Sequence, residues 1–440
     1  MKKSKIGVVA LVTADYSGNE RAQTFYQNAC ASMKRKGIAV LEADRIVQDP
    51  ADAVHVCEQM CDQICGLVII DINWVMDSLQ YIFTNTLRVP VLLWALPYNE
   101  TYSLACVHHF STVLHWQQQP CSFVCGSFDD DEVLHQLHVF SRVAFAIEKM
   151  SAMRIGLVGP RQTWRVAGAQ DMTREELTFS KKFGVTILHV EMREVEKVAE
   201  ELDAQQVENA REVLLKRTGV VMIEKQAMNY MVRMYLAIKE IMKKYSLDAV
   251  AAETVPFDSG IMNIQSSWLA DEGIVVDTEG DISHTVLQYV LNAFSQTPAF
   301  LGEICSYDGD VVNIYHEGSS AHSLARSFDD VFVLKSGENG CYIGLSMKAM
   351  NMVTVVSFVG YDGNYQMFID RASVEEASHE EWEQAGTGCL AKLNFHTDGK
   401  IMTGYLMEKQ LDHHYIIKPG DFYEEMKMLC RYLDIETVIR

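Results

Sequence analysis

The sequence predicts an α/β protein with two doubly wound parallel-sheet domains, followed by a β-rich, barrel-like C-terminal domain. Three observations predict it. Strand-length apolar runs alternate with amphipathic helical stretches up to about residue 150, and the same pattern restarts at Met153. After about Phe300 the helical texture fades into short alternating runs separated by turn signals. The expected domains are residues 1–150, a flavodoxin- or Rossmann-like α/β domain, then 151–299, a second α/β domain, and 300–440, the β-rich domain. Two or three domains suit a chain of 440 residues.

In the first domain the expected strands are Ile6–Leu11, Ala39–Leu41, Leu67–Ile70 and Val89–Trp94, with helices over Arg21–Arg35 and Ala53–Ile64. A short helical linker near Ala144–Ser151 leads to a second first strand, Arg154–Gly159, then a helix (Glu175–Phe183) and a strand (Val185–Val190). A long polar helical region, Val195–Arg217, and a strongly helical segment, Met228–Tyr245, precede the strand Ala249–Glu253. A strand at Gly273–Val276 and a helix at Ser283–Phe294 complete this unit. Beyond it the strand candidates are Val311–Tyr315, Val331–Leu334, Thr354–Phe358, Tyr365–Ile369, Ala391–Phe395 and Ile401–Glu408. Tyr361-Asp362-Gly363-Asn364 and Thr397-Asp398-Gly399-Lys400 read as turns between them. A helix, Asp421–Leu433, and a strand, Thr437–Ile439, come last.

Composition narrows the function. The hydrophobic fraction of 48% and charged fraction of 22% are those of a globular domain, and 8 prolines leave little room for disordered linkers. A net charge of −21 repels phosphate backbones and anionic lipid, which argues against nucleic acid and membrane as partners. The apolar run Ile6–Val12 is too short for a secretory signal and reads as a first strand, so a cytoplasmic location is expected. No stretch approaches the ~18 uncharged apolar residues of a membrane span. The 11 cysteines are scattered, several inside apolar runs (Cys305, Cys389, Cys430), as buried reduced thiols would be. Cys57, Cys61 and Cys65 recur every fourth residue and read as one buried helical stripe rather than a soft-metal site.

The densest polar cluster in an apolar context is Val275-Val276-Asp277-Thr278-Glu279-Gly280-Asp281, between a strand and a helix. Ligands bind at the carboxyl ends of strands in α/β sheets. A helix cap accounts for Asp281, but it leaves Glu279 without a structural task. Glu303 sits inside Phe300-Leu301-Gly302-Glu303-Ile304-Cys305, where an acid is costly unless it is paired or bound to metal. Near the carboxyl terminus stands Asp412-His413-His414. Two carboxylates and an imidazole suit a hard-to-borderline divalent cation such as Mn²⁺, with positions left open for substrate. His316 follows a strand and is a candidate substrate contact, whereas His55, His108, His109, His135 and His138 read as helix or packing residues.

These segments resemble the L-fucose and L-arabinose isomerases. EGDISHTVLQYVL is similar to the family's strand-to-helix turn with its Glu-x-Asp motif, and FLGEICSY to the strand bearing the second carboxylate ligand. VVNIYHEGSSAHSLA is similar to the next strand and the Gly-Ser pair lining the sugar site. DHHYIIKPGDFYEEMKMLCRYLDIETVIR resembles the tail of the arabinose branch, where the second histidine of the pair is a ligand. The resemblance covers about residues 150–440 and is only architectural before that. It implies an aldose–ketose isomerase in which Glu279, Glu303 and His414 hold Mn²⁺ or another divalent cation, and in which Glu279 and Glu303 are catalytic. Asp281, Ser319, His316 and His413 become the expected sugar contacts. The arabinose branch has two further ligands. One falls near Ser319, and between Leu334 and Asn339 nothing matches the other, so the chain looks closer to the three-ligand fucose branch.

The resemblance further implies proton transfer through a cis-enediol, with a hydride shift as the competing route, and a homo-oligomer such as a hexamer. The sugar is fucose, arabinose or a related deoxy-sugar, or a 6-sulfonated sugar such as sulfoquinovose. Lys348, Arg326 and Arg21 are candidate anion contacts for the last. Two rival readings remain: a sugar-binding protein, since two doubly wound lobes fit one equally well, and a regulatory relative without catalysis. The β-rich third domain with its histidine pair speaks against the first, and the three intact ligand candidates against the second.

Overall fold

The chain divides into two units, one of residues 1–148 with 424–435 and the other of residues 149–423 with 436–440. The structure is a computed structural model and describes residues 5–159, 175–254, 260–337, 340–386 and 388–440. Glu338 and Asn339, the end of the stretch searched for a further ligand, lie outside the described residues.

The first unit runs β1 (Lys5–Leu11), α1 (Ala22–Arg35), β2 (Val40–Glu42), α2 (Pro50–Met60), β3 (Ile64–Asp71), α3 (Asp77–Leu87), β4 (Val91–Ala95), α4 (Ser103–Trp116), β5 (Cys121–Cys125) and most of α5 (Asp131–Ser151). Its strands lie in the order β2-β1-β3-β4-β5, every pair parallel. β3 and β4 are buried along their whole length. Such continuously apolar strands can only sit inside a sheet covered on both faces. α2 begins where Asp49 accepts the Asp52 amide and Pro50 occupies the first turn, and it stops at Met60. That stop corrects the cysteine stripe. Only Cys57 is helical, Cys61 is exposed past the helix end, and Cys65 is buried on β3.

The second unit repeats the plan with β6 (Arg154–Val158), α6 (Glu176–Phe183), β7 (Thr186–Val190), α7 (Met192–Glu201), α8 (Ala204–Leu215), β8 (Val220–Val221), α9 (Lys225–Tyr245), β9 (Ala249–Ala252), α10 (Asn263–Ala270), β10 (Val275–Asp277) and α11 (Ile282–Phe294). The parallel sheet β10-β9-β6-β7 has the order of the first sheet without its fifth strand. The polar region Val195–Arg217 is broken at Leu202, which is extended, and restarts under the cap of Asp203.

Then come β11 (Phe300–Asp308), β12 (Val311–His316), β13 (Phe332–Ser336), β14 (Gly340–Ser346), β15 (Met350–Tyr361), β16 (Asn364–Glu375), α12 (His379–Gln384), β17 (Cys389–Asn394), α13 (Gly399–Glu408), β18 (His414–Pro419), α14 (Tyr423–Leu433) and β19 (Glu436–Val438). These nine strands and β8 build a mixed ten-stranded sheet, β19-β16-β15-β18-β11-β12-β17-β14-β13-β8, in which β16 also pairs with β17, while α14 from Glu424 onward belongs to the first unit. Asp362 and Gly363, both at positive φ, turn β15 tightly into β16. Met231, Trp268, Phe300, Ile314 and Tyr415 belong to one buried cluster, so the residues on both sides of 300 share a core.

Two expectations fail here for physical reasons. Ile401–Glu408 is helical, because Asp398 accepts the Ile401 amide and caps the segment. Met402 and Leu406, four residues apart, are the buried pair, while Ile401 faces solvent. Cys305 is exposed, because the outer half of β11 leaves the core after Ile304. Among the described residues no helix is long and apolar enough to cross a membrane.

Candidate metal centre

Strand register brings the first two groups together. β11 pairs antiparallel with β18, and the pair opposite Glu303 is His414. On its other edge β11 pairs with β12, where Tyr315 stands opposite Glu303 and His316 is the next residue. Directly opposed residues on one sheet are within side-chain reach. The third segment is the turn after β10. There Asp277 Oδ2 accepts the backbone amides of Glu279 (2.9 Å) and Asp281 (2.7 Å), which curls the turn over the strand's carboxyl end.

The ion-pair distances from Glu279 are 3.4 Å from Oε1 to His316 Nε2 and 3.7 Å from Oε2 to His414 Nε2. Glu303, His316 and His414 each offer an atom within 4.8 Å of the other two, and so do Glu279, His413 and His414. The residues around these atoms set their direction. His414 Nδ1 is 2.8 Å from Asp281 Oδ2, and His316 Nδ1 is 3.2 Å from the Ser319 hydroxyl. Ser319 reaches back because the chain reverses at Gly318, which has φ 68°. A Cβ there would lie 2.5 Å from the Ile343 nitrogen, so only glycine fits. Lys418, buried on the strand that carries His414, donates to Asn292 Oδ1 (2.8 Å) and to the carbonyls of Ser295 (3.0 Å) and Thr297, tying β18 to the end of α11.

Charge follows from these contacts. Burial opposes ionisation of Glu279, yet the imidazoles of His316, His414 and His413 hold it down at about 2. Burial likewise opposes protonation of His414, and Asp281 and Glu279 nevertheless raise it to about 9. His316 is raised by Glu279 and Glu303 against the same burial. Asp277 is pushed up to about 7 by burial and by the neighbouring charges of Asp281 and Glu279. Both imidazoles thus sit where the carboxylates favour a cation.

The residues fit a divalent ion. His316 Nε2, His414 Nε2 and Glu303 Oε2 are buried and have no hydrogen-bond partner among the described residues. A buried polar atom without a hydrogen bond is costly, and here three of them occur in one mutually adjacent group, the two imidazole nitrogens facing Glu279 only at ion-pair distance. Each histidine has its other nitrogen held by an oxygen, the arrangement that orients an imidazole for ligation. Two carboxylate and two imidazole donors suit Mn²⁺ or a similar cation.

The expected residues fall into three places. Glu303 groups with His414 and with His316, which was expected as a sugar contact, while Glu279 groups with His414 and His413. Asp281 is fully buried, and its carboxylate is taken up by His284, His414 and Ser283, so it lies behind His414 and offers no surface to a sugar. Ser319 contacts His316, and His413 is exposed beside Glu279. Of the anion candidates, Arg326 pairs with Asp330 and Glu376, Arg21 with Glu100, and Lys348 donates to the Ser323 carbonyl. His284, which sequence reasoning passed over, joins Asp281 inside the centre. The signal for it was its position three residues after a capping aspartate, on the same first turn.

No family model matches the chain. It is 22% identical over 367 residues to the sulfoquinovose isomerases of Priestia aryabhattai and Priestia megaterium, covering 80% of this chain and 80% of each of theirs. The sulfoquinovose isomerase of a Clostridium species (strain MSTE9) is 23% identical over 214 residues, 47% of either chain. Among solved structures, an ABC transporter solute binding protein from Burkholderia multivorans covers 68% of this chain and 95% of its own at 14% identity. Its TM-score of 0.20 is too low to bear on the fold.

Proposed function

We propose that this chain is a divalent-metal-dependent aldose–ketose isomerase. Its substrate, in this reading, is sulfoquinovose, converted to 6-deoxy-6-sulfofructose. The observation that carries the class is two donor groups that share His414, Glu303–His316–His414 and Glu279–His413–His414, with Glu279 at ion-pair distance from both buried imidazole nitrogens. The similarity to sulfoquinovose isomerases across four fifths of the chain supports the substrate. The additional β16–β17 pairing supports reading the large sheet as a barrel, with β11, β12 and β18 presenting the donors.

When bound, the cation supplies Lewis acidity toward a sugar carbonyl and its neighbouring hydroxyl. The protein's residues do the rest. Glu279 and Glu303 are the proton carriers: one takes the proton from C2 of the open-chain aldose, and the other serves the hydroxyls at C1 and C2. Returning the proton at C1 completes the ketose through a cis-enediol. His316 and His414 keep their Nε2 atoms toward the centre because Ser319 and Asp281 hold their Nδ1 atoms. A panel of aldoses and 6-sulfonated aldoses incubated with protein and Mn²⁺ tests this. We expect ketose from sulfoquinovose, loss of product with a chelator, and solvent deuterium at C1. Formation of no ketose from any sugar in the panel would overturn the reading.

A further inference from the structure

Asp281 makes more contacts than a helix cap requires. It accepts the His284 amide at 3.0 Å, as a cap does, and the Ser283 hydroxyl at 2.8 Å. In addition its Oδ2 lies 2.6 Å from His284 Nδ1 and 2.8 Å from His414 Nδ1. The rings of His284 and His414 stand 5.7 Å apart at 88° to each other, on one carboxylate oxygen, and all three side chains are buried. A carboxylate can only accept when ionised, so each imidazole must turn an N–H toward it. For His414 that fixes Nδ1 as the donor and leaves Nε2, which is the nitrogen beside Glu279, as the ligating atom. His284 holds the same oxygen from the helix side.

We propose that His284 is a positioning residue: through Asp281 it holds His414 with its Nδ1–H turned inward and its Nε2 presented to the ion. The inference rests on the metal reading above, and it concerns binding of the ion rather than the sugar chemistry. Outer partners of metal-bound histidines typically change affinity by ~10–100-fold.

The test is Mn²⁺ affinity of the full-length protein, followed by the free-Mn²⁺ electron paramagnetic resonance signal, with circular dichroism confirming the fold of each variant. His284→Leu removes the N–H and should weaken Mn²⁺ about 10-fold. His284→Asn places an amide N–H near the Nδ1 position and should stay within about 3-fold of wild type. Asp281→Asn keeps the shape but can donate toward His414, which favours the wrong tautomer, and should weaken Mn²⁺ by ~10–100-fold. If His284 acts through Asp281, adding His284→Leu to Asp281→Asn should cost nothing more, because residues that share one interaction are not additive. Wild-type affinity in His284→Leu, equal losses in His284→Leu and His284→Asn, or losses that multiply in the double variant would each overturn the proposal. A wild-type protein that binds no Mn²⁺ overturns the metal reading itself, and this inference with it. A wild type that binds while His284→Leu is unaffected overturns this inference alone.

Discussion

Asp71 in the first unit and Asp281 in the second are equally shielded from solvent, yet they sit at opposite ends of the acid scale. Asp71 closes β3 with one side-chain donor, Gln80 Nε2 at 2.6 Å, and its Oδ1 has no partner among the described residues. Burial therefore prevails over the opposing hydrogen bond from Gln80 and pushes it up to about 8. Asp281 suffers the same burial, but two imidazoles, a hydroxyl and an amide face it, and the charges and hydrogen bonds of His284 and His414 hold it well below the ordinary carboxylate range. Low dielectric makes a lone carboxyl neutral. The same low dielectric makes a fully surrounded one a fixed negative charge. A centre that must gather a cation needs the second kind.

The comparison can be broken at either end, and the largest expected effect is at the centre. Glu279→Gln removes a negative donor and a proton carrier while keeping the shape. Turnover should fall by ~10²–10⁴-fold, the range of a general acid–base contribution, with an unchanged circular dichroism spectrum. Wild-type turnover would show that the acid held at about 2 plays no part in the chemistry.

At the other end, Asp71→Asn should change the pH dependence of stability. The folded value of about 8 lies above the ~3.9 of an unfolded aspartate. Asp71 therefore stabilises the fold relative to a group with an ordinary value only while both states hold the proton, below about pH 4. From there the unfolded chain gives up the proton while the folded one keeps it, and stability is lost progressively until the pH passes about 8. Urea unfolding of wild type should show this loss between pH 5 and pH 8. In Asp71→Asn it should shrink by on the order of 2–4 kcal/mol, since each pKa unit is worth about 1.4 kcal/mol. Identical slopes in the two proteins would mean that Asp71 is ionised in the folded state. The smallest effect belongs to Ser319→Ala, which strips one neutral hydrogen bond from His316 Nδ1. About 1 kcal/mol is at stake, so Mn²⁺ affinity measured by titration should fall only about 3–10-fold. A loss of Mn²⁺ affinity beyond about 100-fold would make Ser319 a ligand rather than a support.

β3 and β4 were legible because buried parallel strands are continuous apolar runs, as at Leu67–Ile70 and Val91–Trp94, whereas β5 (Cys121–Cys125), exposed at alternate residues, was not. The β15–β16 hairpin was legible from Asp362-Gly363, whose backbone preference the turn requires. α13 was not, because Ile401, Met402 and Leu406 alternate as readily as they spiral, and the capping aspartate was read as a turn. At the centre, Glu279 and Glu303 stood out as acids in apolar surroundings. His316 could not be placed among them from the sequence, because its position depends on the register of β11 against β12 and against β18, the latter pairing Glu303 with His414 more than a hundred positions away. Asp281 was misplaced for a related reason: a capping motif shows which amides a carboxylate serves, but not that a histidine from a distant strand shares it.

The proposed isomerase needs one ion shared by Glu279, Glu303, His316 and His414. Crystals of the Mn²⁺-loaded protein, measured on both sides of the manganese absorption edge, would locate that ion directly. One anomalous peak is expected, within bonding distance of Glu279, Glu303, His316 Nε2 and His414 Nε2. A peak elsewhere, or none in crystals grown with saturating Mn²⁺, would contradict it.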